Sequence, residues 1–184
     1  MVIVFLDIET TGLNYNEHEI VTIQLQEDNN LCEIYKIWES SEKEILEALM
    51  SRLLEIQKKG FSWCVGFNSL TFDIPFLISR CSFHNIETSI KLLEIFYRRL
   101  AHVDLRQILL PEHKWQFKGL DWDYVLQLYG YPPKKGSGSQ IPIWFKEGEY
   151  QKIIDYIKSE FPPLVEIYWK IRKSSKLVLK LDNR

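Results

Sequence analysis

The stretch FLDIETTG, residues 5–12, places two acidic residues at the end of an apolar run. The run itself, residues 2–6, is continuously apolar, as in a central strand that is buried on both faces. Side chains two positions apart point to the same face of a strand, so Asp7 and Glu9 lie side by side. A buried carboxylate without a partner is costly, and two like charges repel each other. The pattern therefore indicates either a strand end that is open to solvent or a cation between the two carboxylates.

The residues after this pair favour a site. Thr10, Thr11 and Gly12 form a polar turn, so the two acids stand at the carboxyl end of the predicted strand. Open α/β sheets usually place their binding and catalytic residues at that edge.

Composition limits the class of protein. The 184 residues, with 46% apolar side chains, are expected to form one domain, residues 1–184, with its own core. The net charge of -2, from 23 basic and 25 acidic residues, argues against a protein that grips nucleic acid by bulk charge alone. It leaves room for an enzyme that binds nucleic acid locally.

The cysteines and the apolar segments indicate the compartment. Cys32, Cys64 and Cys81 are odd in number and lack metal-type spacing, so we expect reduced core thiols of a cytoplasmic protein. The apolar N-terminal run is too short for a signal peptide, and no stretch is long and apolar enough to cross a membrane. We therefore expect no membrane association.

Changes in apolar period along the chain predict an α/β domain with a mixed central sheet flanked by helices. Ser41 and Glu44 form a capping-box pattern at the start of the first predicted helix. After the first strand, the predicted strands lie at residues 20–25, 31–38, 62–67 and 102–105. The predicted helices lie at residues 45–56, 72–83, 120–129 and 149–160, and a last one follows Pro162 and Pro163 through Lys173.

Two further segments carry acids. In GFNSLTFDIPFL, residues 66–77, Asp73 begins a predicted helix, where it is either a plain N-cap or a site residue drawn to the positive end of the helix dipole. In DYIKSE, residues 155–160, Tyr156 and Glu160 are four apart and share one helical face. The alternative for this segment is an exposed helix of mixed charge.

Taken together, these segments resemble the DEDD superfamily of 3′–5′ exonucleases, which have the ribonuclease H-like fold. Within that superfamily, the chain resembles the tyrosine-bearing branch and the exonuclease domains attached to family B DNA polymerases. The resemblance spans residues 2–169 and is carried by DIETTG, FNSLTFDIPFL, HVDL and KGLDWDYVLQLYG. The histidine-bearing branch would need a histidine before its last acid, and the four histidines of this chain lie elsewhere: His18, His84, His102 and His113.

The resemblance implies a metal-dependent 3′–5′ exonuclease that hydrolyses terminal phosphodiesters. Two divalent ions, Mg²⁺ or Mn²⁺, would be held by four acids: Asp7, Glu9, Asp73 and Glu160. Hard cations of this kind prefer carboxylate oxygens. Tyr156 would orient the water that attacks the phosphate.

The resemblance also implies how the substrate binds. Thr10, Thr11 and Leu13 would contact the 3′-terminal nucleotide, while Asn68 and Phe72 would line the path of the strand. The expected partners are 3′ ends of single-stranded DNA or RNA, with DNA favoured, and replication or repair proteins. A catalytically weakened relative that binds nucleic acid or a replication partner is the alternative.

The last acid departs from the family pattern, which has Asp where this chain has Glu160. Pro162 is expected to interrupt the helix, because its ring clashes with the carbonyl four positions earlier. Glu160 would then lie in a final turn or at a kink. Asp155 is a rival ligand, but Tyr150 stands five positions before it and does not share its helical face.

Two groups of residues outside these motifs are open to a functional reading. Lys134 and Lys135, in the loop YPPKKGSG, either contact the substrate backbone or lie in a solvated loop, and the solvated loop is favoured. Four tryptophans are expected to serve packing rather than base stacking: Trp115, Trp122, Trp144 and Trp169.

Overall fold

The computed structural model describes residues 1–174 of the chain, and its centre is a five-stranded mixed sheet. The strands are β1 (Val2–Thr10), β2 (Ile20–Glu27), β3 (Glu33–Lys36), β4 (Ser62–Gly66) and β5 (Leu100–Asp104). Their order across the sheet is β3-β2-β1-β4-β5. Strands β1, β2 and β3 pair antiparallel, whereas β1, β4 and β5 run parallel. The predicted α/β class and mixed sheet are confirmed.

Helices cover both faces of this sheet. They are α1 (Glu42–Lys58), α2 (Asp73–Phe83), α3 (Ser89–Leu93), α4 (Leu105–Ile108), α5 (Trp122–Leu128), α6 (Ile141–Lys146) and α7 (Tyr150–Ser174). Short 3₁₀ turns lie at Ile37–Glu39 and Gly138–Gln140, and a π turn lies at Glu94–Arg98. Within residues 1–174, no helix is long and apolar enough to cross a membrane.

Strand β1 divides the core into two parts by its alternation of side chains. Val4 packs in the cluster that contains α1 and α2. Phe5 packs in the cluster that contains α5, α6 and α7, with its ring 5.3 Å from that of Tyr168. Asp7 and Glu9 continue the row of Phe5, so the strand directs both carboxylates toward α7.

The start of α1 fixes the position of α2. Ser41 caps α1 by accepting a hydrogen bond from the backbone N–H of Glu44 at 3.3 Å, as predicted. The next residue, Glu42, is buried and accepts hydrogen bonds from the backbone N–H of Ile20 at 2.7 Å and from Arg80 Nε at 2.9 Å. Glu42 therefore ties α1 and α2 to β2, and it holds in place the helix that begins with Asp73.

Helix α7 continues through its two prolines, so the predicted interruption at Pro162 is wrong. The helix is unbroken on both sides of Pro162 and Pro163, and Glu160 lies inside it. Each proline lacks one N–H and removes one helical hydrogen bond, which costs up to about 3 kcal/mol. The flanking side chains of Phe161 and Leu164 are buried against the sheet, and burial of such a side chain contributes roughly 1.5–3 kcal/mol. Packing along the whole helix thus outweighs the local cost.

The three cysteines carry free thiols. Cys64 and Cys81 are buried in the core, as predicted, and burial raises the pKa of each thiol to about 12. Cys32 is only half-buried and lies just before the edge strand β3, so it is not a core residue.

Candidate active site

Three separate elements bring the predicted acids to one edge of the sheet. Strand β1 supplies Asp7 and Glu9, α2 supplies Asp73 as its first residue, and α7 supplies Glu160. Asp7 and Glu160 line a cavity of about 100 Å³, whose apolar walls come from Phe67, Trp122, Phe161 and Leu164. Asp7 and Glu160, which stand far apart in the sequence, therefore share one small, partly apolar space.

The position of Asp73 follows from the end of β4. The parallel ladder between β1 and β4 runs only as far as Phe5, which pairs with Val65. Beyond that point, the backbone N–H of Ile8 has no partner on β4, and it donates instead to Asp73 Oδ1 at 3.1 Å. The side chain of Asp73 thus completes the ladder and does not serve as a plain N-cap of α2, since the N-cap position belongs to Phe72.

Asp7 and Asp73 form a coupled pair of acids. Burial raises the pKa of Asp7 well above its ordinary value, and the charges of Asp73 and Glu160 raise it further. Burial likewise raises the pKa of Asp73, to about 7. The two carboxyl groups lie close enough to affect each other's protonation, so they take up and release protons as a pair.

Glu9 and Glu160 lie in the same group of acids as Asp7 and Asp73. Burial raises the pKa of Glu9 well above its ordinary value, and the charges of Asp7 and Glu160 add to the effect. Burial also raises the pKa of Glu160. The positive charge of Lys134 opposes the shift in both residues. The site therefore holds more negative charge than the chain itself compensates.

Lys134 is part of this site, so the favoured reading of a solvated loop is wrong for this residue. Its side chain is only 18% exposed, and its Nζ lies 3.2 Å from Glu160 Oε1 and 3.9 Å from Asp123 Oδ2. The same ammonium lies 5.9 Å from the centre of the Tyr156 ring. Lys135, by contrast, is exposed, as expected for the loop.

Tyr156 stands one helical turn before Glu160 on the buried face of α7. Its side chain is 3% exposed, and its ring packs 6.1 Å from that of Trp144 on α6. Burial raises the pKa of the Tyr156 phenol, and the charges of Glu9 and Glu160 raise it further. The hydroxyl group therefore stays protonated and is a hydrogen-bond donor at any pH near neutrality.

The turn after β1 has a fixed shape. The Thr10 hydroxyl donates to the carbonyl of Gly12 at 2.7 Å. The Thr11 backbone N–H donates to the carbonyl of Glu19 at 2.9 Å, and the Glu19 N–H donates to the Thr11 hydroxyl at 3.0 Å. Leu13, at the tip, is 83% exposed. The turn thus presents a leucine to solvent next to the acids, and both threonine hydroxyls already serve to shape it.

The loop between β4 and α2 is held by a residue that sequence reasoning gave no role. Asp104, buried at the end of β5, accepts hydrogen bonds from the backbone N–H groups of Asn68 at 2.8 Å and Leu70 at 3.2 Å. Asn68 has a left-handed backbone, with φ of 61°. The available signal was an acid at the end of a parallel strand, on the same edge as the other acids.

Arg106 is a second residue without an assigned role. Its guanidinium donates to Asn68 Oδ1 at 2.8 Å and to the carbonyl of Leu120 at 2.9 Å, and so joins the Asn68 loop to the start of α5.

Phe72 is half-buried, with its ring 5.5 Å from that of Phe76.

Asp155 lies outside the cluster. It is exposed on the opposite side of α7, where it accepts a hydrogen bond from Gln151 Nε2 at 2.8 Å. Glu160, not Asp155, therefore faces β1.

The oxygen atoms of the four carboxyl groups are chemically suited to bind a hard divalent cation. Within residues 1–174, no three or more His, Cys, Asp or Glu side chains already stand grouped so that they could hold a metal ion. The charges of Asp73 and Glu160 nevertheless raise the pKa of both Asp7 and Glu9, so these carboxyl groups lie near one another. Carboxylate oxygens held in excess of the local positive charge are the ligands that Mg²⁺ and Mn²⁺ prefer.

Comparisons with known proteins agree with this fold. A family model described as RNase_H superfamily matches residues 4–160. The chain belongs to the RNase_H superfamily. An uncharacterized protein of Methanocaldococcus jannaschii, MJ0365, is 31% identical over 173 residues, which cover 89% of this chain and 91% of that protein.

Solved structures show the same RNase_H fold at low sequence identity. The family B DNA polymerase of Pyrobaculum calidifontis superposes with a TM-score of 0.71 at 14% identity, covering 93% of this chain and 24% of the polymerase. Exonuclease I of E. coli, solved with a 5cy-dA13 oligonucleotide, superposes with a TM-score of 0.53 at 11% identity, covering 98% of this chain and 45% of that enzyme. This chain thus spans about a quarter of the polymerase and less than half of the exonuclease.

Proposed function

We propose that this chain is a metal-dependent 3′–5′ exonuclease of the tyrosine-bearing DEDD type, acting on single-stranded nucleic acid, with DNA favoured. The observation that carries the proposal is the convergence of Asp7, Glu9, Asp73 and Glu160 from β1, α2 and α7, with Tyr156 beside them. Burying four acids together is unfavourable unless their charge serves to hold cations.

All four acids would serve as metal ligands, and the structure around two of them fixes their positions. Asp7, Glu9, Asp73 and Glu160 would hold two Mg²⁺ or Mn²⁺ ions, which in such sites stabilise the attacking and leaving oxygens of a phosphodiester. Asp73 is fixed by its hydrogen bond with the Ile8 N–H, so it offers its other oxygen in a defined direction. Glu160 sits on an unbroken helix, which fixes its distance from β1.

Tyr156 would orient the attacking water by donating a hydrogen bond. Burial and the adjacent acids raise its pKa, so the phenol does not act as a base. Orientation of a nucleophile by a rigid group is a recognised source of rate enhancement. The buried position of Tyr156 against Trp144 supplies that rigidity.

The turn after β1 and the Asn68 loop would bind the end of the strand. Leu13, exposed at the tip of its turn, would pack against the terminal base, while the backbone of Thr10 and Thr11 would contact the 3′-terminal sugar. Phe72 and Asn68 would line the path of the preceding nucleotides. The proposal takes support from Exonuclease I of E. coli, which has the same fold and was solved with an oligonucleotide.

A gel assay tests the proposal directly. A 5′-labelled single strand incubated with Mg²⁺ or Mn²⁺ should shorten stepwise from its 3′ end, and excess EDTA should stop the reaction. Asp7→Asn, which preserves size, should abolish the ladder, whereas Asp155→Asn, on the exposed side of α7, should leave it unchanged. A ladder that persists in EDTA, or a label lost first from the 5′ end, would overturn the proposal.

The second candidate is a catalytically weakened relative that binds single strands or a replication partner. The ion pair between Lys134 and Glu160 favours it, because this lysine already compensates the last acid. A solved structure described as an ExoI/SSB-Ct complex, of which this chain covers 44%, gives this candidate some support. Tight binding of an oligonucleotide without any shortening in Mn²⁺ would favour this candidate.

A further inference from the structure

A short segment after α4 presents aromatic and basic side chains to solvent together. We call residues 113–118, HKWQFK, the Trp115 loop. Trp115 is 73% exposed and Phe117 is 48% exposed, and exposed lysines stand beside them at positions Lys114 and Lys118. Trp115 therefore has no packing role in the described chain, unlike the role expected from its sequence.

The loop is held in a defined and costly conformation. Lys114 and Trp115 both have left-handed backbones, with φ of 56° and 61°. The Trp115 N–H donates to the carbonyl of Leu110 at 2.8 Å, and His113 Nδ1 donates to the carbonyl of Gln116 at 2.6 Å. Two successive non-glycine residues in this region cost on the order of 1–3 kcal/mol each, and such strain clusters at ligand-binding segments.

The loop is joined to the candidate active site through one side chain. The guanidinium of Arg106 donates to Asn68 Oδ1 at 2.8 Å and to the carbonyl of Phe117 at 3.0 Å, and it lies 5.3 Å from the centre of the Phe117 ring. Asn68 and Phe117 are thus separated by no more than a guanidinium group and its two hydrogen bonds. A strand that passed Asn68 on leaving the candidate site would therefore come close to the Trp115 loop.

We propose that the Trp115 loop binds the single strand upstream of its 3′-terminal nucleotides, with Trp115 stacking on a base and Lys114 and Lys118 facing phosphates. This inference rests on the proposed function for the direction of the strand. Aromatic side chains beside cations are the usual platform for single strands, because every base has a stacking face and every linkage has a charge.

Three acids stand near the loop in the sequence, and the side chains of two of them already have partners. Asp121 accepts the hydrogen bond that caps α5, from the backbone N–H of Tyr124 at 2.9 Å, and Asp123 faces Lys134. Glu112 stands at the start of the loop, with two lysines beyond it. Residues 113–118 themselves carry two lysines and no acid, which suits contact with a phosphate backbone.

Binding without catalysis tests the proposal. Fluorescence anisotropy with 5′-fluorescein dT12 and dT3 in EDTA measures affinity for a long and a short strand. Trp115→Ala should weaken dT12 binding about 5- to 100-fold and leave dT3 binding unchanged, since only the long strand reaches the loop. Trp115→Phe should keep most of the affinity. Replacing Lys114 and Lys118 by Gln should lower the slope of log affinity against log salt by about 1.4.

A matched control separates the loop from exposed aromatics in general. Phe61 is 59% exposed and lies at the amino end of β4, away from the acids, so Phe61→Ala should leave dT12 affinity unchanged. Equal dT12 affinity of Trp115→Ala and the natural chain, or equal losses for dT3 and dT12, would overturn the inference. If the chain binds dT12 through Trp115 but degrades no strand, the proposed exonuclease function is overturned, while the proposal that the Trp115 loop binds single strands is supported.

Discussion

Lys134 Nζ lies 3.2 Å from Oε1 of Glu160, so the last acid of the candidate site is paired with a cation from the chain itself. The pair joins the loop before α6 to the middle of α7. No hydrogen-bond donor within residues 1–174 is aligned with that carboxylate oxygen, so the interaction is mainly one of charge. An ammonium group and a divalent ion that are near the same carboxylate repel each other.

Replacing Lys134 by Met should tighten the binding of Mn²⁺. Loss of a positive charge a few ångströms from a candidate ligand removes on the order of 1–2 kcal/mol of repulsion, so the dissociation constant at pH 8 should fall about tenfold. Isothermal titration calorimetry with Mn²⁺ measures it. Lys135→Met, in the same loop but exposed, is the control and should bind Mn²⁺ as the natural chain does. Weaker binding by Lys134→Met would show instead that the lysine positions Glu160.

Metal-free protein should lose stability as the pH rises. The pKa of Asp73 is about 7 in the folded chain against an ordinary 3.8, so between these values the folded chain keeps a proton that the unfolded chain releases. The free energy of unfolding therefore falls from about pH 4 to pH 7. In EDTA, we expect a Tm at pH 8 about 5 °C or more below that at pH 5, since 1 kcal/mol corresponds to roughly 2–4 °C.

Asp73→Asn supplies the control for this pH dependence. Asparagine can still accept the hydrogen bond from Ile8 N–H but has no proton to lose. Its Tm should depend less on pH, and at pH 8 in EDTA it should exceed that of the natural chain. A Tm that rises between pH 5 and pH 8 in the natural chain, measured by circular dichroism, contradicts the assigned burial of these acids.

Tyr156→Phe should slow the reaction without weakening metal binding. The variant keeps the ring that packs on Trp144 and loses only the hydroxyl group. If that hydroxyl orients water, turnover should fall by a factor of ~100. Single-turnover rates on a 5′-labelled strand, together with Mn²⁺ titration, separate the two effects. Unchanged turnover would assign Tyr156 to packing alone.

The sequence predicted the parts of the site that depend on local geometry. The alternation of β1 placed Asp7 and Glu9 on one face, and the four-residue spacing placed Tyr156 and Glu160 on another. All five strands were predicted, with errors at their ends. These features follow from short-range periodicity, which a single sequence displays.

The missing parts depend on contacts between distant segments. Lys134 meets Glu160 only because the loop before α6 folds over α7, and Arg106 binds backbone carbonyls, which leave no mark in a sequence. Helix α7 also continues through Pro162, because its packing on the sheet outweighs the local cost of a proline inside a helix. One local signal was overlooked: Ser137 and Gln140 form a capping box just before α6.

Glu160→Gln should abolish metal-dependent activity, while Asp155→Asn should be nearly silent. Glutamine keeps the size of the side chain but removes the charge that faces β1, whereas Asp155 contacts only Gln151 on the exposed side of α7. Rates in Mn²⁺ and the Mn²⁺ dissociation constant test both variants in parallel. The reverse result, with Asp155→Asn inactive, would show that the last acid of the site is Asp155 and not Glu160.

Pro162→Ala should raise the stability of the chain and leave its metal binding intact. Pro162 is exposed, and alanine restores an N–H that can donate to the carbonyl of Lys158 inside α7. Removing an interior proline gains up to about 3 kcal/mol, less roughly 0.4–1 kcal/mol for the freer unfolded chain. The expected rise in Tm is about 4–8 °C by thermal circular dichroism.

The neighbouring proline is the matched comparison for this last test. Pro163 is buried, so Pro163→Ala also removes apolar contacts and should gain less than Pro162→Ala. Both variants should bind Mn²⁺ as the natural chain does, because the helix that carries Glu160 is already continuous. A fall in Tm for Pro162→Ala would mean that the proline bends α7 into a shape that its packing on the sheet requires.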